Sequence, residues 1–176
     1  MTSTATLVPA LAVVVVLVLF SAFFSSSESA IFSLSDEWLT ATASDGESTD
    51  ERALRSLRDD PHRLLVTILV GNNLVNVAIS SIVTLLVAEF VPSGVAVVLA
   101  TLAVTILVLV FGEIVPKSYG LGHAETWSLR VARPLSYVER ALGPVVGVFD
   151  ASTRRLTALV GGDQGIEEPY LDENEN

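Results

Sequence analysis

The chain has 176 residues, 51% hydrophobic and 17% charged, with a mean hydropathy of +0.59 and a formal charge of -10 at pH 7. So apolar a composition excludes an ordinary soluble domain, and ten Lys and Arg against twenty Asp and Glu exclude a nucleic-acid binder that works by neutralising phosphates. Cysteine is absent, which excludes disulfides and thiolate metal sites, so any metal chemistry must use oxygen.

Three stretches lack ionisable side chains for long enough to cross about 30 Å of hydrocarbon: Met1 to Ser27, Leu64 to Ala88 and Phe90 to Gly112. They predict an all-α membrane protein with three transmembrane helices over about 7–32, 62–90 and 93–116. The first stretch has no Lys or Arg ahead of it and exceeds an ordinary signal-peptide core, so a retained span is expected. Every Lys and Arg lies either between the first two spans (Arg52, Arg55, Arg58, Arg63) or from Lys117 onward. By the positive-inside rule the chain is N-out and C-in. The loop between these spans begins polar and continues as STDERALRSLRDDPHRLL, where Ser48 or Asp50 can cap a short helix that ends before Pro61. After the third span, Arg recurs at helical spacing among apolar residues, with Tyr119, Trp127 and Tyr137 nearby. This predicts juxtamembrane amphipathic belt helices over about 121–158, bent near Pro134 and Pro144. Residues 1–160 form one membrane domain, and 161–176 read as a disordered acidic tail.

Each span carries one polar feature. In SAFFSSSESA, Ser21 and Ser25 lie four apart, and Glu28 and Ser29 continue that stripe. Serines in membrane helices commonly bond their own helix or fit a neighbouring one, whereas an ionisable group in a span is a functional candidate. The second span offers Asn72, Asn76 and Ser80 at i, i+4 and i+8. The third ends VFGEIVPKSYG, where Pro116 deprives the Gly112 carbonyl of its helical donor beside the Glu113 carboxylate. Broken helices make cation sites in transporters from such parts, although Glu113 paired with Lys117 at i+4 is the plainer alternative. The Ser21 and Ser25 hydroxyls, an Asn72 or Asn76 amide oxygen, the Gly112 carbonyl and Glu113 make a hard, all-oxygen set suited to Mg²⁺ or Ca²⁺. His62 and His123 have no His or Cys close by in sequence and read as interfacial.

These motifs, SAFFSSSESAIFSLS, RDDPHRLLVTILVGNNLVNVAIS and FGEIVPKSYG, resemble in order the transmembrane domain shared by cyclin M (CNNM) and CorC magnesium transporters, called hemolysin-like in bacteria. The likeness runs from about Leu7 to Phe149. It implies a homodimer in the cell (plasma) membrane, a Mg²⁺ site in each membrane domain, and export or exchange driven by Na⁺. Matched residue by residue, it makes Ser21, Ser25, Asn76, Gly112 and Glu113 direct ligands with Asn72 beside them, and Pro116 and Lys117 part of the turn. Glu28 is expected to lie behind the ligands or to couple Na⁺, with Ser29 and Ser80 also behind them. Family members usually continue into a pair of CBS modules. This sequence shows none, so the expectation is that either the sequence covers the membrane domain alone or a separate cytosolic partner supplies regulation. A Mg²⁺ sensor or scaffold that binds without transporting is the alternative. No enzyme is expected, because the spans hold no nucleophile with its base, no HExxH pair and no paired aspartates.

Overall fold

In the computed structural model, residues 4–41 and 48–160 are described, and among them every regular element is helical. The acidic tail expected over 161–176 lies outside the described residues. α1 spans Thr4–Phe32, α2 Asp36–Ala41, α3 Thr49–Arg58, α4 Pro61–Val87 and α5 Ser93–Leu107. A π-helical segment, Val108–Ile114, joins α5 to α6, Val115–Gly122, and α7 runs over Ala124–Val160. Three helices are long and apolar enough to cross a membrane: Leu7–Phe32, Pro61–Val87 and Ser93–Gly122. The last two depart from the expected bounds. The second ends at Val87, and the third does not stop at Pro116 but continues to Gly122.

Local chemistry sets the ends. A backbone in hydrocarbon must satisfy its own hydrogen bonds, so the apolar runs coil into helices. Arg58 Nη1 donates to the Ile31 carbonyl at 3.3 Å, supplying a donor to the α1 C-terminus, which has none left in its own helix. Asp36 and Glu37 favour the start of α2, an element the sequence did not announce. Of the two cap candidates it is Ser48 that acts. Its hydroxyl accepts from Glu51 N at 3.2 Å, and the Glu51 carboxylate accepts from Ser48 N at 2.6 Å, a reciprocal box that starts α3. Asp60 likewise accepts from Arg63 N at 3.0 Å, and Pro61 opens α4 where no N–H is needed.

α1 lies against α4, the π-helical segment, α6 and α7, so it is the central element. Many apolar side chains of the spans, Leu19, Leu74 and Ile106 among them, point outward and meet lipid. α7 buries Ser128, Val131, Ala132 and Leu135, a helical stripe, in its contacts with α1, α3 and α4. Leu54 and Leu57 of α3 join the same core, flanked by ion pairs between Arg133 and Asp50 and between Arg63 and Glu139. The bend expected near Pro134 and Pro144 does not divide the belt, since α7 is one continuous helix containing both prolines.

Candidate functional site

Helical spacing puts Ser21 and Ser25 on one face of α1 and Asn72 and Asn76 on one face of α4, and these faces meet. Ser21 is fully buried and Ser25 nearly so. The Ser21 hydroxyl oxygen lies 3.0 Å from both Asn72 Oδ1 and Asn76 Oδ1. Asn72 reaches the third span as well, where its Nδ2 donates to Glu113 Oε1 at 2.6 Å. Ser25 Oγ donates to the other carboxylate oxygen, Glu113 Oε2, at 2.8 Å. All three spans therefore converge on one polar cluster, roughly midway along α1 and α4.

Its oxygens are crowded. A serine hydroxyl carries one hydrogen, yet two amide oxygens face it at equal distance. Ser25 and one hydrogen of the Asn72 amide are committed to Glu113. Hydroxyl, amide and carboxylate oxygens thus gather around the buried Ser21 and Ser25 and the half-buried Asn72, Asn76 and Glu113, where a cation would meet several oxygen ligands at once.

The backbone explains how the helices come so close. A Cβ on Gly112 would stand 2.6 Å from Ser21 Oγ, so the third span touches the serine only because no side chain intervenes. Gly112 and Glu113 lie inside the π-helical segment. Pro116 cannot donate to the Gly112 carbonyl, and the i→i+5 pattern just before it is how the helix continues without that bond. The third span therefore does not end at Pro116: the helix widens before the proline and carries on to Gly122.

Two further contacts fix the frame. The Gly120 Cα faces the backbone carbonyl of Ser26 so closely that no Cβ fits, and a Cβ on Gly71 would lie 2.6 Å from the Phe24 ring. Neither contact was legible from spacing. Ser26 and Ser27 are buried, but their hydroxyls return to the Phe23 carbonyl at 3.2 and 2.6 Å and serve their own helix.

Around the cluster, the Lys117 ammonium donates to Glu28 Oε2 at 2.9 Å and lies 3.8 Å from Glu113 Oε2. The i+4 pair with Glu113 exists, but Glu28 on α1 is the shorter partner. Pro116 is buried in α6, which packs on α1, and Ser29 is half-buried beyond Glu28. Ser80 engages through its carbonyl, which accepts from Thr84 Oγ1 at 2.7 Å. The structure thus brings together Ser21, Ser25, Asn72, Asn76, Gly112 and Glu113, with Glu28 and Lys117 alongside, whereas Ser29 and Ser80 make no hydrogen bond with the cluster among the described residues. These residues also hold no group of three His, Cys, Asp or Glu able to bind a metal, so a cation here would rest on neutral oxygens and one carboxylate.

Comparison with known proteins gives the chain a family. Residues 12–175 match the cyclin M transmembrane N-terminal domain. The chain is 34% identical to a chloroplastic DUF21 domain-containing protein of Arabidopsis thaliana over 93% of its own length and 24% of that protein's. It is 33% identical to a UPF0053 protein of Haemophilus influenzae, covering 85% of this chain and 35% of that one. With the UPF0053 inner membrane protein YfjD of Escherichia coli it shares 35% identity over 80% of this chain and 32% of the relative. The chain spans about a quarter to a third of the curated relatives it matches. It belongs to the cyclin M transmembrane family, as a membrane domain with three spans.

Proposed function

We propose that this cyclin M family domain carries Mg²⁺ across the cell membrane, with the ion as cargo held between the three spans. The observation that carries the reading is the gathering of oxygens around Ser21. Two amide oxygens face one hydroxyl, and a carboxylate lies beside them, within the three spans. A hard cation suits such a set. The ligands would be the hydroxyls of Ser21 and Ser25, the amide oxygens of Asn72 and Asn76, the Gly112 carbonyl and Glu113. All are oxygen donors, as Mg²⁺ requires, and a single carboxylate holds the ion loosely enough for release.

The π-helical segment supports movement at the same place. Its i→i+5 hydrogen bonds are easily exchanged for i→i+4 bonds, and such segments concentrate at functional sites. Alternating access then needs only that Gly112 and Glu113 shift relative to Ser21 and Asn76. Na⁺ is the proposed coupling ion, a homodimer the proposed assembly, and a cytosolic partner the proposed regulator. No catalytic step is assigned.

The test is Mg²⁺ flux in proteoliposomes, read by an internal dye with and without a Na⁺ gradient, beside Glu113→Ala. Flux that disappears in the variant is expected. Mg²⁺ that protects the protein from thermal unfolding without any flux would replace transport by the sensor reading.

A further inference from the structure

Glu28, Glu113 and Lys117 place two carboxylates and one ammonium at the edge of the cluster, on two helices. The ammonium stands between the carboxylates, bonded to Glu28 at 2.9 Å and 3.8 Å from Glu113. The Glu113 oxygens are otherwise held by neutral donors, Asn72 Nδ2 and Ser25 Oγ. Lys117 is therefore the nearest positive charge to the carboxylate that the proposed cargo needs. Its four-carbon stem lets the ammonium move by the ångström that separates a hydrogen bond from a looser ion pair.

We infer that Lys117 is a tethered competitor for Glu113, which lowers the cluster's affinity for a divalent cation, and that Glu28 is the acceptor that holds it back. This rests on the cation reading above and names how the site releases its ion. When the ammonium leans on Glu28, as observed, Glu113 is free to ligate. When it leans on Glu113 it takes over the carboxylate and repels the dication, so release does not require a bare carboxylate in the membrane. Lys117 is a positioning residue: it acts through Glu113.

The competitor role predicts opposite signs for two variants that break the same ion pair. Lys117→Met should tighten Mg²⁺ binding about five- to tenfold and lower both the maximal flux and the half-saturating Mg²⁺ concentration, because the ion leaves slowly. Glu28→Gln should weaken binding about three- to tenfold, because the ammonium then settles on Glu113. The double variant should bind like Lys117→Met, and Lys117→Arg should stay near the unaltered protein. A purely structural ion pair would instead weaken binding in both single variants.

The experiment is calorimetric titration of the purified chain in lipid nanodiscs with MgCl2, with thermal unfolding in the absence of Mg²⁺ to confirm that each variant is folded. Tighter binding in Lys117→Met together with weaker binding in Glu28→Gln would establish the inference. Unchanged or weaker binding in a folded Lys117→Met overturns it while leaving the cation site intact. Failure of the unaltered chain to bind Mg²⁺ would overturn the cation reading itself.

Discussion

Where α3 meets α7, apolar side chains are inside and charges outside, whereas between α1, α4 and the third span buried serines share the inside with apolar side chains such as Ile31, Ile68 and Ile79. Leu54, Leu57, Val131 and Leu135 are buried in the first region, and its ion pairs, Arg133–Asp50 and Arg63–Glu139, are half-exposed. In the second region Ser21 and Ser25 are buried, and leucines and valines cover the outside. The first region gains from taking hydrocarbon out of water, so its energy is spread over many contacts. In lipid that gain vanishes, and association depends on close backbone approach and a few hydrogen bonds. Damage to the first region should therefore appear as lost stability with binding intact, and damage to the second as a loss of binding much larger than its loss of stability.

The sharpest test of this separation is Glu113→Ala, which removes the carboxylate hydrogen-bonded to Ser25 and Asn72. Mg²⁺ affinity by titration should fall about 100-fold or more, while cation-free thermal unfolding stays close to that of the unaltered chain. Leu54→Ala should do the reverse. Its side chain is only 2% exposed, so truncation should cost about 2–4 kcal/mol of stability, and the protein that remains folded should bind Mg²⁺ normally. A large affinity change there would dissolve the distinction between the regions.

Smaller effects sharpen the boundary. Gly112→Ala puts a methyl group against Ser21 Oγ, a movable hydroxyl, and should weaken Mg²⁺ binding about tenfold through its displaced hydrogen bonds, with little loss of unfolding temperature. Ser48→Ala removes the α3 cap and should cost about 1 kcal/mol, read by thermal unfolding, with no change in affinity.

The sequence carried much of the cluster because helical spacing is a local property. Ser21 with Ser25, and Asn72 with Asn76, lie four residues apart, and the polar stripes they form in apolar helices are visible without a structure. Which stripe faces which was not visible. The π-helical segment has no residue pattern of its own, so the sequence offered only a Gly112 carbonyl without its donor and a span ending near Pro116. Lys117 showed the same limit. Spacing offered Glu113 at i+4, while the closer partner, Glu28, is 89 positions away and is brought near only by the contact of α1 with α6. Gly120 and Gly71 were passed over because the need for glycine arises from a neighbouring helix and not from a turn.

The contact at Gly120 also governs how the helices can move. Ser21 meets Gly112 and Ser26 meets Gly120, so α1 and the third span run in the same direction. At Gly120 they touch backbone to backbone, with no layer of side chains between them to deform. Two rods held at one place separate in proportion to distance from it, so a swing about Gly120 would open the Ser21–Gly112 gap as a narrow wedge. The wedge widens toward the ends where α1 and α5 begin. Leverage of this kind would turn a modest tilt into an opening on one side of the cluster while the other side stayed shut.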